Sequence, residues 1–209
     1  MPVAFPSDIF VASDSLAIDL GISVSRSEGG LNITSRRSDP FWRGRITTPP
    51  LPAWADDNVR AGFVAWLNWA VDLNMRIDFV HPKYQLPGHY TEDTWPMAGN
   101  AVLLAVPDLR TIVVSDLVVG MVLKRRDRIS ITQGDIVVHR WIGEDVVVSS
   151  AIAQQLVLTP RLPIGVLAAG AQVVLQNPVM RFVILPGSWE GEDALEPMPV
   201  SFEVSEALR

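Results

Sequence analysis

The stretch DNVRAGFVAWLNWAVDLN, residues 57–74, is the one long segment of this chain with the pattern of an amphipathic helix. Asp56 or Asp57 can cap its start, and Asn74 can end it. Apolar residues recur at spacings of four, three, four and three, which places them on one helical face: Val59, Phe63, Trp66, Ala70 and Leu73. We expect this face to be buried.

Almost everything else in the chain has the pattern of short β-strands. Residues 15–28 alternate apolar and polar side chains, and the GG at 29–30 followed by LNITS predicts a hairpin. The centres of the predicted strands are about 8–12 residues apart, a spacing typical of a β-sandwich or a small barrel. Further strands are predicted within 41–52, 75–82, 101–106, 111–119, 128–133, 135–143, 145–150, 154–160, 172–177, 180–187 and 197–208. Residues 83–100 lack periodicity and predict a long loop or linker, with a possible domain boundary.

The amino-acid composition limits the classes of function that this chain can have. The chain has 209 residues, 48% of them hydrophobic and 19% charged, so its surface is poor in charge. Either the core is generous, or neighbouring subunits cover part of an apolar surface. A net charge of −6 argues against nucleic-acid binding through phosphate contacts. No apolar run is long enough to span a membrane, and the N-terminus has no secretory signal pattern.

The absence of cysteine excludes disulfides, thiolate zinc sites and cysteine nucleophiles. His81 and His89 flank a loop that carries Glu92 and Asp93, but their spacing matches no familiar zinc pattern. We therefore expect ordinary loop histidines. His139 is expected on the polar face of a strand.

No nucleotide-binding, calcium-binding or nucleophile motif occurs. The acidic clusters Glu144/Asp145 and Glu190/Glu192/Asp193, like Glu92/Asp93, lie in turn-like stretches and predict solvated charge. The sequence thus predicts no enzyme, with no catalytic, cofactor-binding or metal-ligating residue. A small hydrolase using His81 or His89 is kept as a rival hypothesis.

Seven tryptophans suggest a second rival, a carbohydrate-binding β-sandwich. Clustered exposed tryptophans would distinguish it. Trp66 belongs to the helical stripe, and Trp69 lies on an adjacent edge of the same helix. The others are dispersed in sequence and do not argue for one sugar site: Trp42, Trp54, Trp95, Trp141 and Trp189.

The order of segments resembles the distal tail and baseplate-hub-like proteins of long-tailed bacteriophages. The resemblance runs from about residue 30 to the C-terminus. Its segments are WRGRITTPPL (42–51), FVAWL (63–67), RIDFVHP (76–82), VLKRRDRISITQGDIVVH (122–139), LVLTPRLP (156–163), GAQVVLQNPVMRF (170–182) and VSFEVSEAL (200–208). One departure is LKRRDRISI at 123–131, which stands where that family has a small K-A-G-D turn.

This resemblance implies a tail-tube-like β-sandwich flanked by one α-helix at about 57–74. The ring-forming domain would comprise 1–82 plus 178–209, with 83–177 as an inserted small β-barrel or sandwich. The function that the resemblance implies is structural: a distal tail ring, hexameric in the family's manner, around a DNA-conducting channel. Implied partners are other copies of the chain, a tail-tube protein above, and baseplate hub or tail-fibre proteins below, with no sequence-specific nucleic-acid binding.

The same resemblance implies a virion tail-tip location after synthesis in the host cytoplasm. An alternative within virion proteins is another tube-fold component, such as a tail terminator or the tail-tube protein.

Overall fold

The computed structural model describes residues 2–7, 9, 11–20, 22–26, 32–36, 38–51, 59–189 and 197–207, with the backbone alone for 13, 22–26 and 32–36. Within these ranges lie one α-helix, α1 (Val59–Asp72), and one short 3₁₀ helix, Glu92–Thr94. The strands are β1 (Val3–Ala4), β2 (Ser13–Asp14), β3 (Ala17–Asp19), β4 (Ile22–Arg26), β5 (Asn32–Arg36), β6 (Phe41–Thr47), β7 (Ile77–Val80), β8 (Ala101–Asp108), β9 (Thr111–Ser115), β10 (Val122–Leu123), β11 (Arg128–Gln133), β12 (Ile136–Ile142), β13 (Val146–Val147), β14 (Gln154–Thr159), β15 (Gln172–Val174), β16 (Val179–Ile184) and β17 (Ser201–Glu206).

The chain divides into two compact units. The split unit comprises 1–18, 42–79 and 181–207, and the barrel unit comprises 19–41, 80–180 and 208–209. Residues 19–41 group with the barrel unit, whereas the predicted division had them in the first domain. The assignment of a ring-forming and an inserted domain stays a prediction.

The split unit is built on a seven-stranded sheet with the order β1-β7-β16-β17-β6-β2, and β3 also pairs with β6. β1 and β7 are parallel, while β17 is antiparallel to both β16 and β6. Phe202 and Val204 of the last strand, and Val200 just before it, are buried, as their alternation predicts. The neighbours β7 and β16 are joined by a bidentate ion pair, in which the Arg181 guanidinium donates to Asp78 at 2.6 and 2.8 Å.

The helix ends as the sequence predicts. Asn74 adopts a left-handed backbone with φ 46°, and its N–H donates to the carbonyl of Val71 at 2.9 Å. The N–H of Met75 donates to the carbonyl of Ala70 at 2.8 Å, which completes a Schellman motif. The predicted caps at the other end, Asp56 and Asp57, lie outside the described residues.

The helix packs on the sheet through aromatic rings. The ring centroid of Phe63 lies 6.1 Å from that of Phe202 in β17 and 6.0 Å from that of Phe5. The centroid of Phe5 lies 5.4 Å from that of Phe79 in β7. Trp66 is half-buried and stacks on Phe63 at 5.7 Å. Edge-to-face and offset aromatic contacts of this kind add to the free energy gained by burial alone.

The predicted stripe is wrong at its two ends. Val59 is more than a third exposed and Leu73 is 60% exposed, whereas Leu67 and Arg60 are buried beside Phe63 and Ala70. The buried face is rotated because the sheet takes the row at positions 60, 63, 67 and 70, which also has helical spacing.

The barrel unit contains a closed six-stranded barrel with the order β11-β12-β14-β9-β8-β15. All its pairings are antiparallel, and β15 returns to β11. Each barrel strand contributes a fully buried apolar side chain: Leu103, Ile112, Ile129, Val138, Leu156 and Val173. The mainly β class, with one helix, is confirmed for the described residues, and the barrel strands lie between β7 and β16 in sequence.

Residues 83–100 form a loop that packs on the barrel. The Val122 N–H donates to the Tyr90 hydroxyl at 2.7 Å, the Gly88 N–H donates to Asp127 Oδ1 at 2.9 Å, and Met97 is buried in the barrel core cluster. Aromatic and backbone contacts therefore hold this segment although it lacks periodicity.

Candidate functional site

The structure does not bring the loop histidines and acids together. The His81 ring packs on Tyr84 with centroids 4.7 Å apart, and its Nδ1 accepts the N–H of Lys83 at 3.0 Å. His89 is exposed and packs on Tyr90. In the described parts of the chain no three His, Asp or Glu side chains form a metal-binding group.

His139 is buried, with 3% of its surface exposed, so the prediction of a polar strand face is wrong. It belongs to β12, whose residues from Val137 to Arg140 are all buried. Burial lowers the pKa of His139 to about 3, and the charges of Arg128 and Arg140 lower it further, while a hydrogen bond with the Val179 backbone opposes the shift. The imidazole is therefore neutral at physiological pH and serves packing.

The acidic pairs do structural work or are solvated. Glu92 and Asp93 are exposed in the 3₁₀ helix. Asp145 accepts the Arg125 N–H at 2.7 Å, which is the main reason its pKa is lowered, and Lys124 Nζ donates to it at 3.2 Å. Glu190, Glu192 and Asp193 lie outside the described residues.

The tryptophans do not form an exposed row in the described part of the chain. Trp42 is buried, and Trp66, Trp95, Trp141 and Trp189 are half-buried. Trp69 is exposed on the helix, and Trp54 lies outside the description. The described residues thus lack the feature that would distinguish a carbohydrate-binding sandwich.

One apolar cleft of about 320 Å³ lies on the barrel unit between Val106, Leu109, Leu162 and Leu167. Its carboxylate, Asp108, accepts the N–H groups of Arg110 and Thr111 at 2.6 and 2.9 Å. These bonds lower the pKa of Asp108, the Arg110 N–H contributing most. The carboxylate supports the β8–β9 turn and offers no sign of ligand chemistry.

A more informative feature is the β4–β5 ribbon, the antiparallel pair Ile22–Arg26 and Asn32–Arg36. Its register runs from Ile22 opposite Arg36 to Arg26 opposite Asn32. Among the described residues these two strands pair only with each other, so each has one open edge. The predicted turn at 29–30 lies outside the described residues.

A second feature is the basic turn, Lys124, Arg125 and Arg126, which follows β10. All three side chains are exposed. Arg126 has φ 76°, in the left-handed region that favours glycine. The sequence signal for this turn is the dense basic run KRRDR at 124–128, interrupted by Asp127, which is typical of a solvated turn or of an interface with salt bridges.

Both features present groups that other protein surfaces can contact, and neither resembles a catalytic arrangement. No helix of the described residues is long and apolar enough to cross a membrane. No family model matches this sequence, and the comparison with curated proteins finds no significant match.

Proposed function

We propose that this protein is a structural component of a phage tail tip: a distal tail ring that joins the tail tube to the baseplate hub and surrounds a DNA-conducting channel. The proposal begins from the order of sequence segments between residues 42 and 208. It requires that copies of the chain contact each other through surfaces that the single chain leaves open.

The β4–β5 ribbon is the observation that carries this proposal. An isolated two-stranded ribbon is marginally stable in water, because it pairs few backbone groups and has no sheet to cover it. Open strand edges are also sites where another chain can add a strand. A neighbouring copy in a ring would supply both a covering surface and a pairing edge.

A ring needs heterologous contacts, in which one patch of a copy meets a different patch of the next. In such a contact the ribbon would be the patch on one copy, and a different surface of the next copy would be the patch that receives it. The net charge of −6 suits a channel as well, because acidic walls repel passing DNA and keep it from adhering.

The test is the mass of the purified full chain by light scattering after gel filtration, with negative-stain images of the peak. We expect a species of about six times the 23.0 kDa chain mass, with a central hole. A protein that stays monomeric, alone and when mixed with the tail-tube and hub proteins of the same virion, would contradict the proposal.

A pair of proline variants tests the role of the ribbon itself. Successive N–H groups along a strand point to opposite edges, so Ser23→Pro and Val24→Pro remove donors from different sides of β4. The variant that breaks the ladder to β5 should lower Tm. The other, on the open edge, should keep Tm and lose the ring. Rings that persist in both variants would exclude the ribbon from assembly.

A further inference from the structure

The helix α1 carries a second apolar row beside the one that the sheet buries. Its members recur at helical spacing and include no ionisable side chain: Val59, Gly62, Trp66, Trp69 and Leu73. Val59, Trp69 and Leu73 are 37, 46 and 60% exposed. The single chain therefore leaves an apolar helical face, about 21 Å long, in contact with water.

A cleft of about 270 Å³ lies at the N-terminal half of this row. None of the side chains that line it carries a charge: Pro6, Ile9, Val59, Gly62, Phe63 and Trp66. The cleft is smaller than the roughly 300–1,000 Å³ of small-molecule sites, and it lacks the convergent polar groups that orient a small ligand. It suits one large apolar side chain of another protein molecule.

Gly62 keeps this cleft open at a cost to the helix. Glycine in a helix interior is less favourable than alanine. A Cβ built at Gly62 would meet no atom within 4 Å, so packing inside the chain does not require glycine at this position. A helical glycine that its own fold does not require points to close approach by another molecule.

The charges of α1 narrow the choice of partner. Arg60 is the only cation of the helix and is buried, while Asp72 is its only anion and is exposed. Helices that lie on anionic lipid expose lysine or arginine, which this one does not. A strongly charged protein surface would lose hydration against the apolar row without gaining a counter-charge. The chemistry of the row therefore fits an uncharged apolar partner surface.

The row is itself such a surface, and it carries both halves of a contact. The exposed indole of Trp69 and the cleft at Gly62 are seven residues apart, which is about two helical turns. When two copies of α1 pack antiparallel, each Trp69 comes opposite the other copy's Gly62, and the two identical contacts form together, as in an isologous interface. In a parallel pair the two indoles would meet each other and both clefts would stay empty.

We infer that two copies of this chain pair through α1, antiparallel, with the Trp69 indole of each copy in the cleft beside Gly62 of the other. The inference goes beyond the proposed ring and does not depend on it, because an isologous contact joins copies in twos and cannot close a ring. A footprint of about 21 by 10 Å on each copy is small beside the roughly 800 Å² per partner of a stable interface. The pair should therefore form reversibly, with a mass that depends on protein concentration.

The chain has no cysteine, so disulfide trapping can map this contact directly. The variant Gly62→Cys/Trp69→Cys should give a reducible dimer on mild oxidation, because the two positions face each other across the pair. Within one copy they are about 10 Å apart along the helix, too far for a bridge that needs Cα atoms about 4.4–6.8 Å apart. Each single variant should stay uncross-linked, since identical positions are also about two turns apart in the antiparallel pair. Dimers from the single variants, or none from the double variant, would overturn the inference.

Sedimentation velocity over a concentration series tests the same contact without cross-linking. The smallest wild-type species, one copy or one ring, should double in mass as the concentration rises, and Trp69→Ala should weaken this doubling about tenfold or more. The matched control Asn68→Ala changes the neighbouring residue, which is exposed and lies off the row, and should alter the doubling less than about threefold. Gly62→Ala should raise Tm by about 2–4 °C at low concentration and weaken the doubling, two effects of opposite sign that misfolding cannot produce.

The outcomes separate this inference from the ring. Rings of about six copies that never double would overturn the inference and leave the proposed function standing. Doubling of a chain that never forms a ring, with loss of the doubling in Trp69→Ala, would support the inference and contradict the ring. Equal effects of Trp69→Ala and Asn68→Ala would overturn the inference. Binding to phosphatidylserine vesicles that Trp69→Ala abolishes, with no doubling at any concentration, would also overturn it.

Discussion

Acidification is expected to destabilise this protein through one side chain, His139. Its imidazole is buried in β12, close to the charges of Arg128 and Arg140, and its pKa falls from 6.5 to about 3, chiefly because burial removes water from the charged form. In the unfolded chain the same group is solvated and titrates at its ordinary pKa. Protons therefore bind the unfolded chain first.

The magnitude follows from that difference. Because the pKa of His139 is lower in the native state than in the unfolded chain, its titration does not change the free energy of unfolding above pH 6.5. Below that value the free energy of unfolding falls as the pH drops. Proton linkage gives a loss of about 2 kcal/mol by about pH 5, rising to about 4 kcal/mol at about pH 3. A domain of ordinary stability would lose a large fraction of its margin over this window.

The assay is urea denaturation at about pH 7.5 and about pH 5 for wild type, His139→Gln and His89→Gln. Glutamine fills a similar volume and does not titrate, so His139→Gln should lose about 2 kcal/mol less than wild type between the two pH values. His89 is exposed, so His89→Gln is the matched control for replacing a histidine outside the core. Equal losses in wild type and His139→Gln would refute the assignment of the acid sensitivity to this residue.

Three further predictions concern the split unit. Phe63→Ala should cost about 3–5 kcal/mol by removing the central ring of the aromatic cluster, whereas the exposed control Leu73→Ala should change unfolding free energy by less than about 0.5 kcal/mol. Gly44→Ala should cost about 1–3 kcal/mol in the same urea titration, because its Cβ would lie 2.6 Å from the carbonyl oxygen of Ser15. Asp78→Asn should lower the urea midpoint by the equivalent of about 1.5–3 kcal/mol, since it leaves a buried guanidinium without its carboxylate; an unchanged midpoint would contradict a stabilising role for that pair.

Much of the fold could be predicted from periodicity alone. The predicted segment 128–133 coincides with β11, and the strands predicted at 154–160 and 180–187 differ from β14 and β16 by one to three residues at their ends. Alternation worked because one face of each of these strands buries apolar side chains: Ile129 and Ile131 in β11, Leu156 and Leu158 in β14, and Met180, Phe182 and Ile184 in β16. The strands that were missed, β1, β2 and β10, have two residues each, too few for any period to register.

Side-chain environments were harder to predict than elements. The helix has two candidate rows with helical spacing, and sequence could not indicate that the sheet would bury the one containing Arg60 and Leu67 in place of Val59 and Leu73. The burial of His139 was missed because alternating apolar and polar residues predict a strand with one solvent-exposed face. In this fold both faces of β12 are buried from Val137 to Arg140. Whether a strand face is buried depends on which segments, distant in sequence, pack against it, and the local sequence does not indicate this.

The β4–β5 ribbon and Arg126 mark the remaining limit in physical terms. Each is unfavourable for the isolated chain: within the described residues the ribbon has an unpaired edge on each strand, and the arginine holds a backbone conformation that glycine would adopt freely. The stability of a single copy would favour a sequence without either feature. A neighbouring copy changes the balance for the ribbon, because it can pair the open edge with a strand of its own.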